Sequence, residues 1–420
     1  MPNKKLVAHN ETQFKKQVVE LAPGIWTAVG FAASTQHMIE GENSVTIVDT
    51  SESTGAAENV LAAFREKTSK PIERIIYTHS HRDHISGASV FSEGRNIPIL
   101  ASATFKSDLI DQDETKIAPN KALGRRTLAQ LGIGLSPLER ISLGCGPGER
   151  PMEGMGAGHI PPNQLLSEDQ EIDLDGVLAK LIHAPGETAD HIAIWLPDAK
   201  VLIPGDNWYH AFPNLYAIRG TPYRDFAAWA TSLQMLSEFD AEVLAPGHTQ
   251  PVFGKTKVRE VLLTTRAAIL HVMQHSSNGM NAGMSQDDIA ASLELPEELK
   301  DKPWLGEFYG KASWSARAFA TGTLGWYDGN PTNLGTLSSA TRAKHVAELA
   351  GGPDALFLAA ENTEDLQWRL ELCDHLIALG KPAEQLKADT MVELAENEIN
   401  ATARNTYLWE ARHLRGGAGS

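Results

Sequence analysis

Tyr77-Thr78-His79-Ser80-His81-Arg82-Asp83-His84 gathers three imidazoles and a carboxylate within six residues, directly after the apolar run Ile75-Ile76-Tyr77. Neutral imidazole nitrogens and carboxylate oxygens are preferred ligands of zinc, and four of them on one loop fill most of a coordination sphere. In an extended segment His79 and His81 point the same way and can share one ion. Where the chain then tightens toward a helix, Asp83 and His84 can face a second. Two metals side by side is therefore the natural reading. The plain alternative is a solvated histidine cluster at a strand end, and the density of ligands argues against it.

Working outward, Ile25 to Gly30 and Ser44 to Asp49 read as strands, with Glu42-Asn43 offering a turn between them. Asp49-Thr50-Ser51-Glu52 reads as the cap of a helix running to about Lys67, with Val60, Leu61 and Phe64 on one face. Ile72 to Tyr77 is a buried strand. This strand, helix, strand order puts the histidine loop at a carboxyl end of a sheet, where sites on open α/β sheets sit. Beyond the loop, Ile85 to Phe91 reads as a short helix and Ile97 to Ala101 as a strand. From about Lys106 to Asn163 periodicity fades, and Gly144, Gly146, Gly148, Gly154, Gly156 and Gly158 predict a mobile loop, with an active-site flap as the alternative.

Leu178 to Asn207 reads as three strands, joined through His183-Ala184-Pro185-Gly186-Glu187-Thr188-Ala189-Asp190-His191 and ending in Pro204-Gly205-Asp206-Asn207. Val243-Leu244-Ala245-Pro246-Gly247-His248 repeats the device. Four loops on one edge thus carry ligands. His79 and His81 need a third partner for a first zinc, Asp83 and His84 take His248 for a second, and Asp206 is the candidate bridge. After Lys255 the pattern changes to helical periodicity over Val258 to Gln274, Thr341 to Leu349, Asp365 to Leu379 and Ala383 to Leu408, with Pro382 after Gly380 marking a helix-to-helix turn. Trp304, Trp314, Trp326 and Phe308 read as core, with a substrate entrance as the alternative.

The chain has 420 residues, 42% hydrophobic and 21% charged, the balance of an ordinary globular protein. Its formal net charge of −16 disfavours nucleic acid as a partner. Cys145 and Cys373 imply no disulfide framework, and both are expected as free thiols. Neither a signal peptide nor a membrane span is visible, so a cytoplasmic protein is expected.

His79-x-His81-x-Asp83-His84 resembles the signature of the metallo-β-lactamase superfamily, which implies an α/β fold, an αββα sandwich with a metal-dependent hydrolytic site at the sheet edge. The superfamily usually reads Gly-His-Thr where this chain has Gly186-Glu187-Thr188. One branch, the class III alkylsulfatases, uses a glutamate there and places its bridging carboxylate 19 residues further on, the spacing of Glu187 and Asp206. The resemblance to that branch makes Glu187 the third ligand of the first zinc, and leaves His191 a supporting histidine, with a ligand role as the alternative. Asn214-Leu215-Tyr216-Ala217-Ile218-Arg219-Gly220 and Arg224-Asp225 are similar to the branch's segment where an arginine holds the sulfate. Leu324-Gly325-Trp326-Tyr327-Asp328-Gly329-Asn330-Pro331 is similar to a family stretch. The carboxyl-terminal helices, ending Leu414-Arg415-Gly416-Gly417, look like its dimerisation region.

Two departures stand out, an aspartate at the bridge where the family commonly has glutamate and Ser313-Trp314-Ser315 where it often has Ser-His-Asn, and a short form lacking the family's terminal lipid-transfer-like domain is expected.

What the resemblance implies is a catalytic domain over 1–254 and an all-helical dimerisation domain over 255–420, two Zn2+, a homodimer, and hydrolysis of a small anionic sulfate ester to alcohol and sulfate. Arg219, Arg224 and Asn214 would contact substrate; Asp83, Arg219 and His210 would serve catalysis, His210 as acid to the leaving alcohol. The runner-up is another hydrolase on the same site, a lactonase, phosphoesterase, thioesterase or β-lactamase.

Overall fold

The structure, a computed structural model, describes residues 2–107 and 119–416. Residues 108–118, inside the aperiodic span, and Gly417 lie outside the described residues.

Among the described residues, thirteen strands build two sheets. The first runs β1 (Gln17–Ala22), β2 (Ile25–Val29), β3 (Gln36–Glu40), β4 (Val45–Val48), β5 (Ile72–Ile76), β6 (Ile99–Ser102) and β7 (Gln164–Leu166) in spatial order. Its first four strands are antiparallel neighbours, and β4 to β7 are parallel. The second sheet holds β8 (Gln170–Asp173), β9 (Leu178–His183), β10 (Ile192–Leu196), β11 (Val201–Ile203), β12 (Val243–Leu244) and β13 (Val252–Phe253). β11 and β12 pair in parallel, the other neighbours antiparallel.

The inner faces meet through Ile25, Ile39, Val48 and Ile76 on one side and Leu181, Ile192, Ile194 and Ile203 on the other, all buried. Period-two alternation sends Ile47, Ile75 and Tyr77 to the opposite face, where the helix Thr54–Arg65 covers them with Ala57, Val60 and Phe64. Ala193, Trp195 and Leu202 on the far face of the second sheet pack under helices Phe226–Leu236 and Lys255–Asn281. Helix, sheet, sheet, helix is the layering expected from the sequence.

Local readings needed two corrections. The helix cap is Ser53, whose Oγ accepts from Ala56 N at 3.1 Å, whereas Asp49 and Ser51 ahead of it adopt left-handed φ of 61° and 77°. The glycine-rich stretch is not a free loop: Gly55 N donates to Glu153 O, Ser89 N to Gly158 O, and Arg150 forms a buried ion pair with Glu52. Its glycines serve close approach, since a Cβ on Gly158 would stand 2.5 Å from Ser86 O. β3 and the helix Asn120–Gln130 had escaped the sequence reading, because Gln36-His37 and Asn120-Lys121 break the apolar patterns that reveal strand and helix.

From Lys255 onward every described element is helical. We keep the division at 254/255 as a proposal about secondary-structure type, because the helix Lys255–Asn281 shares its core with the second sheet. The long carboxyl-terminal pattern divides into Glu384–Asn397 and Ala401–Leu414, with Asn400 capping the second. That last helix returns to the sandwich, packing Trp409 on Ala129 and Leu135. No described helix is long and apolar enough to cross a membrane.

Candidate metal centre

Four loops at the carboxyl ends of β5, β9, β11 and β12 converge. The tight turn after β5 and the short helix Arg82–Ile85 produce the two orientations expected from the sequence: His79, His81 and Asp206 form one group with donor atoms within 4.8 Å, and Asp83, His84 and His248 form a second. One atom joins them. Asp206 Oδ2 lies 3.5 Å from His79 Nε2, 3.3 Å from His84 Nε2 and 3.1 Å from His248 Nε2. Asp83 Oδ2 is 3.7 Å from His84 Nε2 and 3.5 Å from His248 Nε2.

The donor set fits metal. His79 Nε2, His84 Nε2 and Asp206 Oδ1 are buried, and none has a hydrogen-bond partner among the described residues. Orphaned polar atoms of this kind are costly unless something binds them. Burial lowers the basicity of every imidazole here and holds His79 and His81 well below the usual histidine range. At His84 burial acts the same way, but Asp206, Asp49 and Asp83 outweigh it and push the pKa up. His248 rises to about 9, Asp206 overriding burial. Asp206 is held well below the carboxylate range in spite of burial, by His248, His84 and His79. The pocket thus asks for positive charge, which protons or metal ions can supply.

Neighbouring residues fix the donors. Asp49 Oδ2 meets His84 Nδ1 at 2.8 Å and also takes the Thr78 hydroxyl at 2.8 Å, while Asp49 Oδ1 accepts from Thr78 N. This presents His84 Nε2 to the centre. His191 accepts the Asp206 N–H on Nε2 at 2.9 Å and meets Thr188 Oγ1 through Nδ1 at 3.0 Å; its ring stacks on His79 with centroids 4.0 Å apart. With Nε2 so occupied, its contacts are those of a supporting residue. Gly205 and Gly247 must be glycine: a Cβ would meet His191 Nε2 at 2.7 Å in the first case and Asp206 Oδ1 at 2.3 Å in the second.

Glu187 lies outside both tight groups. Its Oε1 binds Arg224 Nη1 at 2.5 Å, both side chains being almost fully buried, while Oε2 has no partner among the described residues. Burial, only partly offset by Arg224, raises its pKa to about 7. Arg224 Nη1 also reaches Asn214 O, and Arg224 Nε, Arg224 Nη2 and Asn214 Nδ2 remain buried without partners among the described residues. Arg219 is half-buried, its backbone N held by Gln130 Oε1, and its charge bears on His81 and Glu187.

His210 is not brought to the centre. Its ring faces Trp208 and Trp304 edge-on, burial lowers its pKa to about 4, and Lys257 is its charged neighbour. The role of leaving-group acid is therefore withdrawn from it. Trp304 is core and Trp326 is 71% exposed. Unforeseen in the sequence were Asp49, Tyr209, Tyr309 and Cys145, whose only signal is contact across distant segments. Cys145 and Cys373 are free and buried.

Residues 29–248 match the metallo-β-lactamase superfamily and residues 285–417 match the alkyl sulfatase dimerisation family. A linear primary-alkylsulfatase of a Pseudomonas species is 34% identical over 392 residues, 90% of this chain and 74% of that protein. An (R)-specific secondary-alkylsulfatase of a Pseudomonas species is 31% identical over 95% of this chain, which spans 62% of that protein. The solved structure of the stereoselective inverting sec-alkylsulfatase Pisa1 from Pseudomonas sp. superposes with a TM-score of 0.88 at 28% identity, covering 100% of this chain and 68% of that one.

Proposed function

Because the chain belongs to the alkylsulfatase family of the metallo-β-lactamase superfamily, we propose that it hydrolyses alkyl sulfate esters to alcohol and inorganic sulfate at a two-zinc centre. One observation supports an ester carrying a tetrahedral anion above carboxylic and lactone esters, and the family membership favours sulfate for that anion. Beside the ligand groups, Arg224 Nε, Arg224 Nη2 and Asn214 Nδ2 are buried hydrogen-bond donors with no partner among the described residues. Three such donors, two of them on a guanidinium, suit a tetrahedral anion, since guanidinium pairs with such oxygens in planar, bidentate fashion.

His79, His81 and Glu187 would hold one ion, Asp83, His84 and His248 the other, and Asp206 both. Two zinc ions would supply Lewis-acid activation of water near neutral pH. The chain's own residues do the rest. Arg224 and Asn214, with Arg219 at the more open side, hold and orient the sulfate. Asp49 fixes the tautomer of His84, and His191 fixes the backbone of Asp206. The packed cluster of Ala33, Leu143, Tyr209, Ala211 and Tyr309 keeps bulk water from one side, which strengthens each charge interaction there. A homodimer through the carboxyl-terminal helices and a cytoplasmic site of action belong to the same proposal.

The test is ion-chromatographic detection of sulfate from primary, secondary and aryl sulfate esters with zinc-loaded protein and a chelated control. Release that chelation abolishes is the expected result. No release from protein carrying two zinc ions would transfer the proposal to carboxylic, phosphate or lactone esters.

A further inference from the structure

Cleavage of a sulfate ester sends the electron pair of the breaking bond to the oxygen that joins carbon and sulfur, whichever side breaks. A hydrogen donor placed at that oxygen lowers the barrier. Of the histidines near the centre, four belong to the ligand groups, His191 accepts from Asp206 N and His210 faces tryptophans, while His37 on β3, near enough to bear on His84, is fully buried. Two tyrosines stand close by. Tyr209 stands edge-on to His248 with ring centroids 6.0 Å apart, and its oxygen accepts the Asn214 N–H at 2.7 Å. Tyr309 stands edge-on to Tyr209 at 5.6 Å and is 8% exposed.

The surroundings of Tyr309 are those of a placed group. Its hydroxyl meets Cys145 Sγ, a weak partner, and the charges that bear on it are Glu187, Arg219 and Arg224. A tyrosine that is merely core puts its hydroxyl on a good acceptor, as Tyr77 does on Ile160 O at 2.9 Å. The backbone at Tyr309 is clamped as well. Asn400 Nδ2 donates to Glu307 O, Tyr309 O and Gly310 O at 2.9, 3.0 and 3.2 Å, and Gly310 N donates to Phe212 O.

We propose that Tyr309 is a catalytic residue whose hydroxyl hydrogen-bonds the bridging ester oxygen as the bond breaks. Where the S–O bond breaks, the oxygen takes the electron pair and the Tyr309 proton and leaves in the alcohol; where the C–O bond breaks, it leaves in sulfate, a far weaker base than tyrosinate, and Tyr309 keeps its proton and only hydrogen-bonds it. In the first case the tyrosinate then recovers a proton from the attacking water. This inference rests on the sulfate-ester reading.

Zinc-loaded wild type and Tyr309→Phe are compared on the best alkyl sulfate found, with metal content and unfolding midpoint as controls. The expected result is a kcat lower by at least about 100-fold, with KM, metal content and midpoint unchanged. Tyr309→His, which keeps a donor, should recover part of kcat; it also serves should the phenylalanine variant not fold. Retention of kcat in Tyr309→Phe, or equal losses in both variants, overturns the inference and leaves the function standing. A wild type that releases no sulfate overturns both.

Discussion

Asp83 is the member of its ligand group most open to solvent, its side chain 29% exposed against 0% for His84 and 2% for His248. Removing its carboxylate therefore takes away a donor without opening a core cavity. Asp83→Ala should lose one of two bound zinc ions and lower kcat by more than about 100-fold, since even outer partners of a metal site are worth ten- to hundredfold. Metal analysis by mass spectrometry together with sulfate release checks this; near-normal turnover in the variant would sink the two-metal reading. At this scale the ligand motif was plain in the sequence, because its residues are neighbours in the chain. Asp49 was not, because its bond to His84 spans 35 positions and exists only once β4 and β5 pair.

The element that ties the two halves is the turn before the last helix. Asn400 is fully buried, accepts from Ala403 N at 2.9 Å to cap that helix, and donates to three carbonyls of the segment 307–310. Sequence periodicity ran straight through it, since apolar spacing records which face is buried and not where a helix pauses. Asn400→Ala should cost about 1 kcal/mol for the lost cap and about 1–3 kcal/mol more for buried carbonyls left unpaired. Urea unfolding reads the sum, and an unchanged midpoint would show that the clamp is not needed. Because the clamp positions Tyr309, kcat should fall with it in the folded fraction.

Across the whole molecule, the amino-terminal helix Lys4–Gln13 is pinned to the site's loops. His9 Nε2 meets His210 O at 2.8 Å, and its ring stacks on Phe308 with centroids 4.0 Å apart. Burial lowers the His9 pKa to about 4, although the bond to His210 O works against it. Between pH 6.5 and about 4 the unfolded chain takes up a proton here that the folded chain refuses, so stability falls as pH falls through that window. His9→Gln keeps a donor and cannot titrate. It should flatten the decline by up to about 3 kcal/mol, at about 1.4 kcal/mol per pKa unit. Urea midpoints of both proteins at pH 7 and pH 4.5 decide it, and parallel declines would exclude His9.

The sequence alone determined the ligand-bearing strand ends and the helical second half, which follow from short-range spacing, the period of apolar residues and the density of donors on one loop; the sandwich was implied by the resemblance that the motif His79 to His84 carries. Asp206 was already the bridge candidate in the sequence, whereas tertiary structure alone decided that Glu187 pairs with Arg224, that His210 packs against Trp208 and Trp304 and that Tyr309 packs against Tyr209. Each of these is a relation between side chains on different loops. Local pattern says only which face a residue takes, whereas the angle at which loops meet is set by packing of the two sheets and by glycines such as Gly205 and Gly247 that allow close approach.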